Sequence, residues 1–248
     1  MNNTKRALVI GGAGGMGAAG VAALLKDGWQ VTVADRAEPE DNLGAAAFFK
    51  TDVSNDEELA EAVDGTVKLF GGLDAVWNNA GVCLLGNAET MKVEDFDKSY
   101  AVNVRANAIL ARLVVPHLRN AGGGSILFTA SGAGVFIAPG VLPYGVTKAA
   151  LVAMTRHLAL EYGKCGIRVN ALCPGWIDTQ FNTPSWELFG GREAFLEKVP
   201  ASIPLGRMGT VEEMGEFVRF ILSPEAKFMT GQALTMDGGE SLRAGATR

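Results

Sequence analysis

Three cysteines, two histidines and three tyrosines are all that a chain of 248 residues contains of those types, and each scarcity excludes something. Cys83, Cys165 and Cys173 are odd in number and form no C-x-x-C pair. They build neither a disulfide framework nor a zinc site, and they suit a reducing, cytoplasmic setting. His117 and His157 stand far apart within helical patterns, with no carboxylate–histidine cluster around them, so no metal site is expected. Runs of Lys or Arg are missing, and 27 acidic residues against 22 basic ones leave a net charge of −5; nucleic acid is not an expected partner. Long apolar runs are missing too. The first, Ala7–Ile10, is too short for the core of a signal peptide or for a membrane span.

Glycine, by contrast, is abundant: 32 residues, about 13% against a usual ~7%. No Gly-X-Y period accompanies it, which excludes collagen. Hydrophobic residues make up 48% and charged residues 20%, so a chain of this length can bury an ordinary core and is not disordered. Short apolar runs at Ala7–Ile10, Gln30–Asp35, Ala45–Lys50, Leu73–Asn78, Ser125–Ala130, Ile167–Cys173 and Ala233–Met236 alternate with longer amphipathic stretches. That alternation predicts right-handed βαβ crossovers. The expected fold is α/β: a doubly wound, mostly parallel, seven-stranded sheet with helices on both faces, Rossmann-like, in one domain over residues 1–248. Two features break the rhythm. The stretch from Arg36 to Gly44 contains Pro39 and is too short for a full covering helix. Residues 176–208 form a long excursion rich in aromatics and prolines, placed where a binding site is usually shaped.

The first strand runs into Gly11-Gly12-Ala13-Gly14-Gly15-Met16-Gly17. Glycines there permit positive φ and let backbone approach a pyrophosphate at a helix N-terminus, where free amides favour an anion. Asp35 ends the next strand, 18 positions beyond Gly17, where a carboxylate accepts hydrogen bonds from an adenosine ribose. The same carboxylate repels a 2′-phosphate, so NAD is expected over NADP. Arg36 is read as a solvated loop residue, the alternative being a partner for that phosphate. Asp52-Val53 ends the third strand and either touches the adenine edge or, with Ser54, caps the next helix.

Tyr144 and Lys148 stand four residues apart, on one face of a helix. A cation about 4 Å from a phenol is worth about 4 kcal/mol at an effective dielectric near 20, or roughly three pKa units. Such a pair can serve as acid or base near neutral pH. The ordered set Gly11-x-x-x-Gly15-x-Gly17, Asn78-Asn79-Ala80-Gly81, Asn103, Ser131, Tyr144-x-x-x-Lys148 and Pro174-Gly175 resembles the short-chain dehydrogenase/reductase family, over nearly the whole chain. The resemblance implies that Tyr144 is the general acid–base and that Lys148 lowers its pKa and holds the nicotinamide ribose. It makes Ser131 the residue that orients the substrate oxygen, and Asn103 the holder of a relay water. Gly11, Gly15, Met16, Gly17, Asp35, Arg36, Asp52, Val53, Asn79, Ala80, Gly81, Tyr144 and Lys148 would border the cofactor. Pro174, Gly175, Ile177 and Thr179 would clasp its carboxamide.

The reading that follows is an NAD-dependent oxidoreductase interconverting a small secondary alcohol and a ketone, cytoplasmic and homo-oligomeric as a tetramer or dimer. An NADPH-dependent carbonyl reductase acting on 3-oxoacyl substrates is the alternative, and a catalytically silent nucleotide sensor the third. Ala133, Val135, Leu142, Trp176 and Gln180 are expected in the pocket wall. Phe181, Trp186, Phe189 and Phe195 are expected either to cover the substrate or to pack on one another as a helical cap.

Overall fold

The computed structural model describes residues 4–39 and 43–243. Seven strands form one sheet: β1 (Arg6–Ile10), β2 (Gln30–Asp35), β3 (Ala47–Lys50), β4 (Ala75–Asn78), β5 (Gly124–Thr129), β6 (Ile167–Pro174) and β7 (Ala233–Met236). Their order is β3-β2-β1-β4-β5-β6-β7, and every pairing is parallel. The strands read as continuous apolar runs because both faces are covered.

Alternation still sorts the side chains. Leu8, Ile10, Val76, Ile126, Phe128, Val169 and Ala171 share one core with α2 (Asp56–Phe70), α4 (Ala106–Asn120) and α5 (Leu142–Tyr162). Ala7, Val9, Val31, Val33, Trp77, Leu127 and Leu172 share the other with α1 (Gly15–Lys26) and α8 (Val211–Leu222). The α1 and α8 helices approach closely enough that a Cβ on Gly215 would stand 2.6 Å from the Ala19 carbonyl oxygen.

Three remaining pieces position the site. Helix α3 (Val93–Tyr100) runs through a π-helical turn at Ala101–Arg105 into α4. The excursion after β6 folds into α6 (Thr183–Phe189) and α7 (Arg192–Ser202), and the short α9 (Glu240–Arg243) follows β7. Between β2 and β3 the described residues form no helix, as expected of a short connection containing Pro39. Order reverses between β1 and β4, so a crevice opens at their carboxyl ends, where doubly wound sheets bind ligands.

Candidate active site

The turn after β1 is glycine for steric reasons. Gly11 has φ +71°, and a Cβ there would lie 2.5 Å from the Ala80 nitrogen. A Cβ on Gly17 would strike the Gly11 carbonyl oxygen. Gly15 has φ +52°. Gly14 precedes α1 in extended conformation with no atom within 4 Å of where its side chain would be. Free amides of α1 therefore face open space, a cradle that any side chain at Gly11 or Gly17 would collapse. The residues present fit a dinucleotide pyrophosphate.

Two carboxylates border the cradle's outer end. Asp35 Oδ2 accepts the Ala13 amide at 3.0 Å, and Oδ1 accepts Ala37 at 3.3 Å. Asp52 Oδ1 accepts the Ser54 amide at 2.9 Å and its hydroxyl at 2.6 Å, bonds that hold its carboxyl below the usual range, with a smaller contribution from the Arg36 guanidinium. The cap of α2 is neither of the two expected residues. Asn55 accepts from Glu57 and Glu58, while Val53 is buried in the core. Across the crevice, Asn79 Nδ2 donates to the Gly11 carbonyl at 3.0 Å. Thr129 Oγ1 ties Asn79 to the core by accepting from Trp77 Nε1 at 2.9 Å and donating to Asn79 Oδ1 at 3.2 Å.

The four expected catalytic side chains come together at the ends of β4 and β5. Ser131 follows β5 in extended conformation and hydrogen-bonds the Tyr144 phenol; its Oγ also accepts the Ala133 amide at 3.2 Å. Lys148, one turn along α5 from Tyr144, is buried and donates Nζ to the Thr129 carbonyl at 2.7 Å. Asn103 sits in the π-helical turn with no exposure. Its Oδ1 accepts the Val82 amide at 2.9 Å, while Nδ2 donates to the Val82 carbonyl at 2.9 Å and to Thr147 Oγ1 at 3.1 Å. Gly81 makes room between them: a Cβ there would stand 3.2 Å from both Asn103 Oδ1 and Lys148 Nζ.

The ammonium is turned toward the Thr129 carbonyl and lies 5.5 Å from the centroid of the Tyr144 ring. Burial dominates both groups: it pushes the Tyr144 phenol well above its usual value, helped by Cys83, and pushes Lys148 down to about 8. The Ser131 hydrogen bond opposes the shift of the phenol.

Pro174-Gly175 ends β6 beside this cluster, and Ile177 is buried. Thr179 reaches back over the cradle, its methyl 3.6 Å from the position a Gly15 Cβ would take. Met16 packs against the core under α1. Of the excursion's aromatics, Phe189 and Phe195 pack on each other and on Trp176, with Trp186 against the same cluster. Phe181 faces the Tyr144 ring instead, at 6.2 Å between centroids. A cleft of about 530 Å³ opens inside the excursion between Asp178 and Leu196, not over Tyr144.

Several site residues escaped the sequence reading. Cys83 stands beside Tyr144 and Lys148 and hydrogen-bonds Ser185 of α6; burial pushes its thiol up to about 11. Thr129 and Thr147 carry bonds to Asn79 and Asn103. Only their nearness to Gly81, Ser131 and Tyr144 in the chain hints at this.

A family model described as enoyl-(acyl carrier protein) reductase matches residues 11–241. The chain belongs to the short-chain dehydrogenase/reductase family. An uncharacterized oxidoreductase of Thermotoga maritima is 37% identical over 97% of this chain and 99% of its own. Dehydrogenase/reductase SDR family member 4 of Bos taurus is 34% identical over 96% and 87%. The ligand-free aldohexose dehydrogenase of Thermoplasma acidophilum superposes with a TM-score of 0.90 at 26% identity, covering 99% of this chain and 97% of that one. The protein is thus a short-chain oxidoreductase, of a family that uses NAD or NADP on small molecules. Among the described residues no helix is long and apolar enough to cross a membrane, and no cluster of ligating side chains suits a metal.

Proposed function

We propose that this short-chain dehydrogenase/reductase is an NAD-dependent dehydrogenase that interconverts a secondary alcohol and a ketone. The observation that carries the reading is the convergence of Ser131, Tyr144, Lys148 and Asn103 beside the glycine cradle. Gly11, Gly15, Gly17, Asp35, Asn79, Ala80, Gly81, Pro174, Gly175 and Thr179 would hold the cofactor, with Met16, Val53 and Ile177 packing beneath it. Bound there, the nicotinamide supplies the two-electron hydride exchange. The chain's own groups handle the proton. Ser131 Oγ and the phenol converge on one point, where a substrate oxygen can accept or donate a hydrogen bond to both. In reduction the phenol gives its proton to the carbonyl oxygen; in oxidation the phenolate removes the proton of the hydroxyl. Lys148 stabilises the phenolate form, and Asn103 fixes Val82 and Thr147 around it. Asp35 supports NAD over NADP, and Arg36 is an exposed loop residue next to it.

Residues 176–208 serve as the substrate lid. The protein is read as cytoplasmic, with three free thiols, and as a homo-oligomer.

Titration of NADH and NADPH by fluorescence should give the tighter binding to NADH; an NADPH preference overturns the cofactor assignment. Tyr144→Phe should retain that binding and lose at least about a hundredfold in turnover across cyclic, sugar-like and aryl alcohols. Normal turnover by the Phe variant would refute the mechanism.

A further inference from the structure

Trp176 begins the excursion, and its side chain works in two directions. Its ring packs edge-on against Phe189 of α6 at 5.8 Å and Phe195 of α7 at 5.2 Å. Its indole N–H donates to Glu240 Oε1 at 2.8 Å. Glu240 comes from beyond β7, and its backbone is held in place. The Asp237 carboxylate accepts the amides of Gly239 at 2.9 Å and Ser241 at 2.8 Å, and the Glu240 amide itself donates to the Asp237 carbonyl at 3.1 Å. Gly175 leaves the space: a Cβ there would come within 3.0 Å of Glu240 Oε2 and 2.7 Å of Asp237 Cβ. A half-buried carboxylate fixed to the sheet thus grips the one aromatic that both lid helices share. The other end of that lid touches the chemistry, through Phe181 on the Tyr144 ring and Ser185 on Cys83.

We propose that Glu240 is a positioning residue for the substrate lid, setting through Trp176 how α6 and α7 stand and so how Phe181 and Ser185 are presented to Tyr144 and Cys83. Glu240 then governs how well substrate is held, while proton transfer stays with Ser131, Tyr144 and Lys148. The inference rests on residues 176–208 being the substrate lid of the dehydrogenase proposed above.

Hydrogen exchange on the cofactor-free protein tests the grip without any turnover. Glu240→Ala should speed exchange about tenfold across Thr183–Ser202, the loss expected of one charged hydrogen bond, and leave β4–β6 unchanged. Trp176→Phe should do the same, and Glu240→Gln, which keeps an oxygen acceptor, should resemble wild type. With a responsive alcohol, Glu240→Ala should raise the substrate KM about tenfold, keep kcat within about twofold and leave NADH binding unchanged. Unchanged exchange in Glu240→Ala, acceleration that extends through the sheet, or a fall in kcat without a rise in KM overturns the proposal. Should wild type oxidise no alcohol at all, the dehydrogenase reading fails, and exchange alone still decides whether Glu240 holds the lid.

Discussion

At the residue scale, the Tyr144–Lys148 pair is where spacing along the chain carries most and where burial adds what spacing lacks. Four-residue spacing on a helix does place both groups on one face, and Ser131 and Asn103 join them. What spacing cannot convey is burial, which favours the neutral form of each group and outweighs their mutual attraction once the ammonium turns to the Thr129 carbonyl. The consequence for stability has a definite sign. The ordinary Lys value of 10.5 falls to about 8 in the folded protein. Between those values the unfolded chain holds the proton that the folded one has released, so stability rises with pH. The thiols of Cys83 and Cys173, raised from 9.0 to about 11, act oppositely, but only above pH 9. Denaturant unfolding should therefore show wild type gaining about 1 kcal/mol relative to Lys148→Met between pH 8 and pH 9. Parallel profiles for the two proteins would mean that the lysine is not desolvated.

At the element scale, α2 shows how local chemistry decides a boundary. The sequence points to Asp52 or Ser54 as the cap and passes over Asn55, a residue type just as competent. The structure uses Asp52 for a turn onto Ser54 and leaves Asn55 to accept from two amides of the first helical turn. Asn55→Ala should cost about 1 kcal/mol in thermal or denaturant unfolding, and Ser54→Ala distinctly less. Equal losses would move the cap to the turn.

The strands were legible because fully covered parallel strands leave continuous apolar runs bounded by glycine or charge. Boundaries drifted by a residue or two where a neighbour completes the ladder, as at Ala46, which donates to the Val31 carbonyl before β3 begins. The π-helical turn holding Asn103 left no trace, since one extra residue in a turn barely disturbs a helical pattern. The fold of the excursion was also hidden. Its aromatics suited a lid or a self-packed cap, and the structure divides them, Phe181 to Tyr144 and the others to one another.

At the scale of the whole molecule, part of the glycine excess marks close approaches: Gly11 against Ala80, Gly17 against Gly11, Gly81 beside Lys148, Gly175 beside Glu240 and Gly215 against α1. Gly11, Gly81 and Gly175 follow β1, β4 and β6 and border the crevice at the carboxyl ends of those strands. The face of α5 opposite that crevice has another character. Val146, Ala149, Ala153, His157 and Leu160 are all exposed, and their spacing of three, four, four and three residues lines them along one side of the helix. Tyr100 and Val93 on α3, which packs against α5, are exposed as well. This stripe, apolar at Val146 and Leu160, small at Ala149 and Ala153 and bordered by the exposed Arg156 and His157, suits close packing against the same stripe of a second copy, related by a twofold axis. In such an isologous seam both copies bring the same residues in, so one substitution places two like charges in a desolvated interface. Ala153→Glu should therefore shift the protein to a smaller species in size-exclusion chromatography with light scattering, while circular dichroism and NADH binding stay unchanged. Lys227→Glu, far along the chain on an exposed turn, should leave the assembly intact. If Ala153→Glu elutes as wild type does, α5 is not the seam.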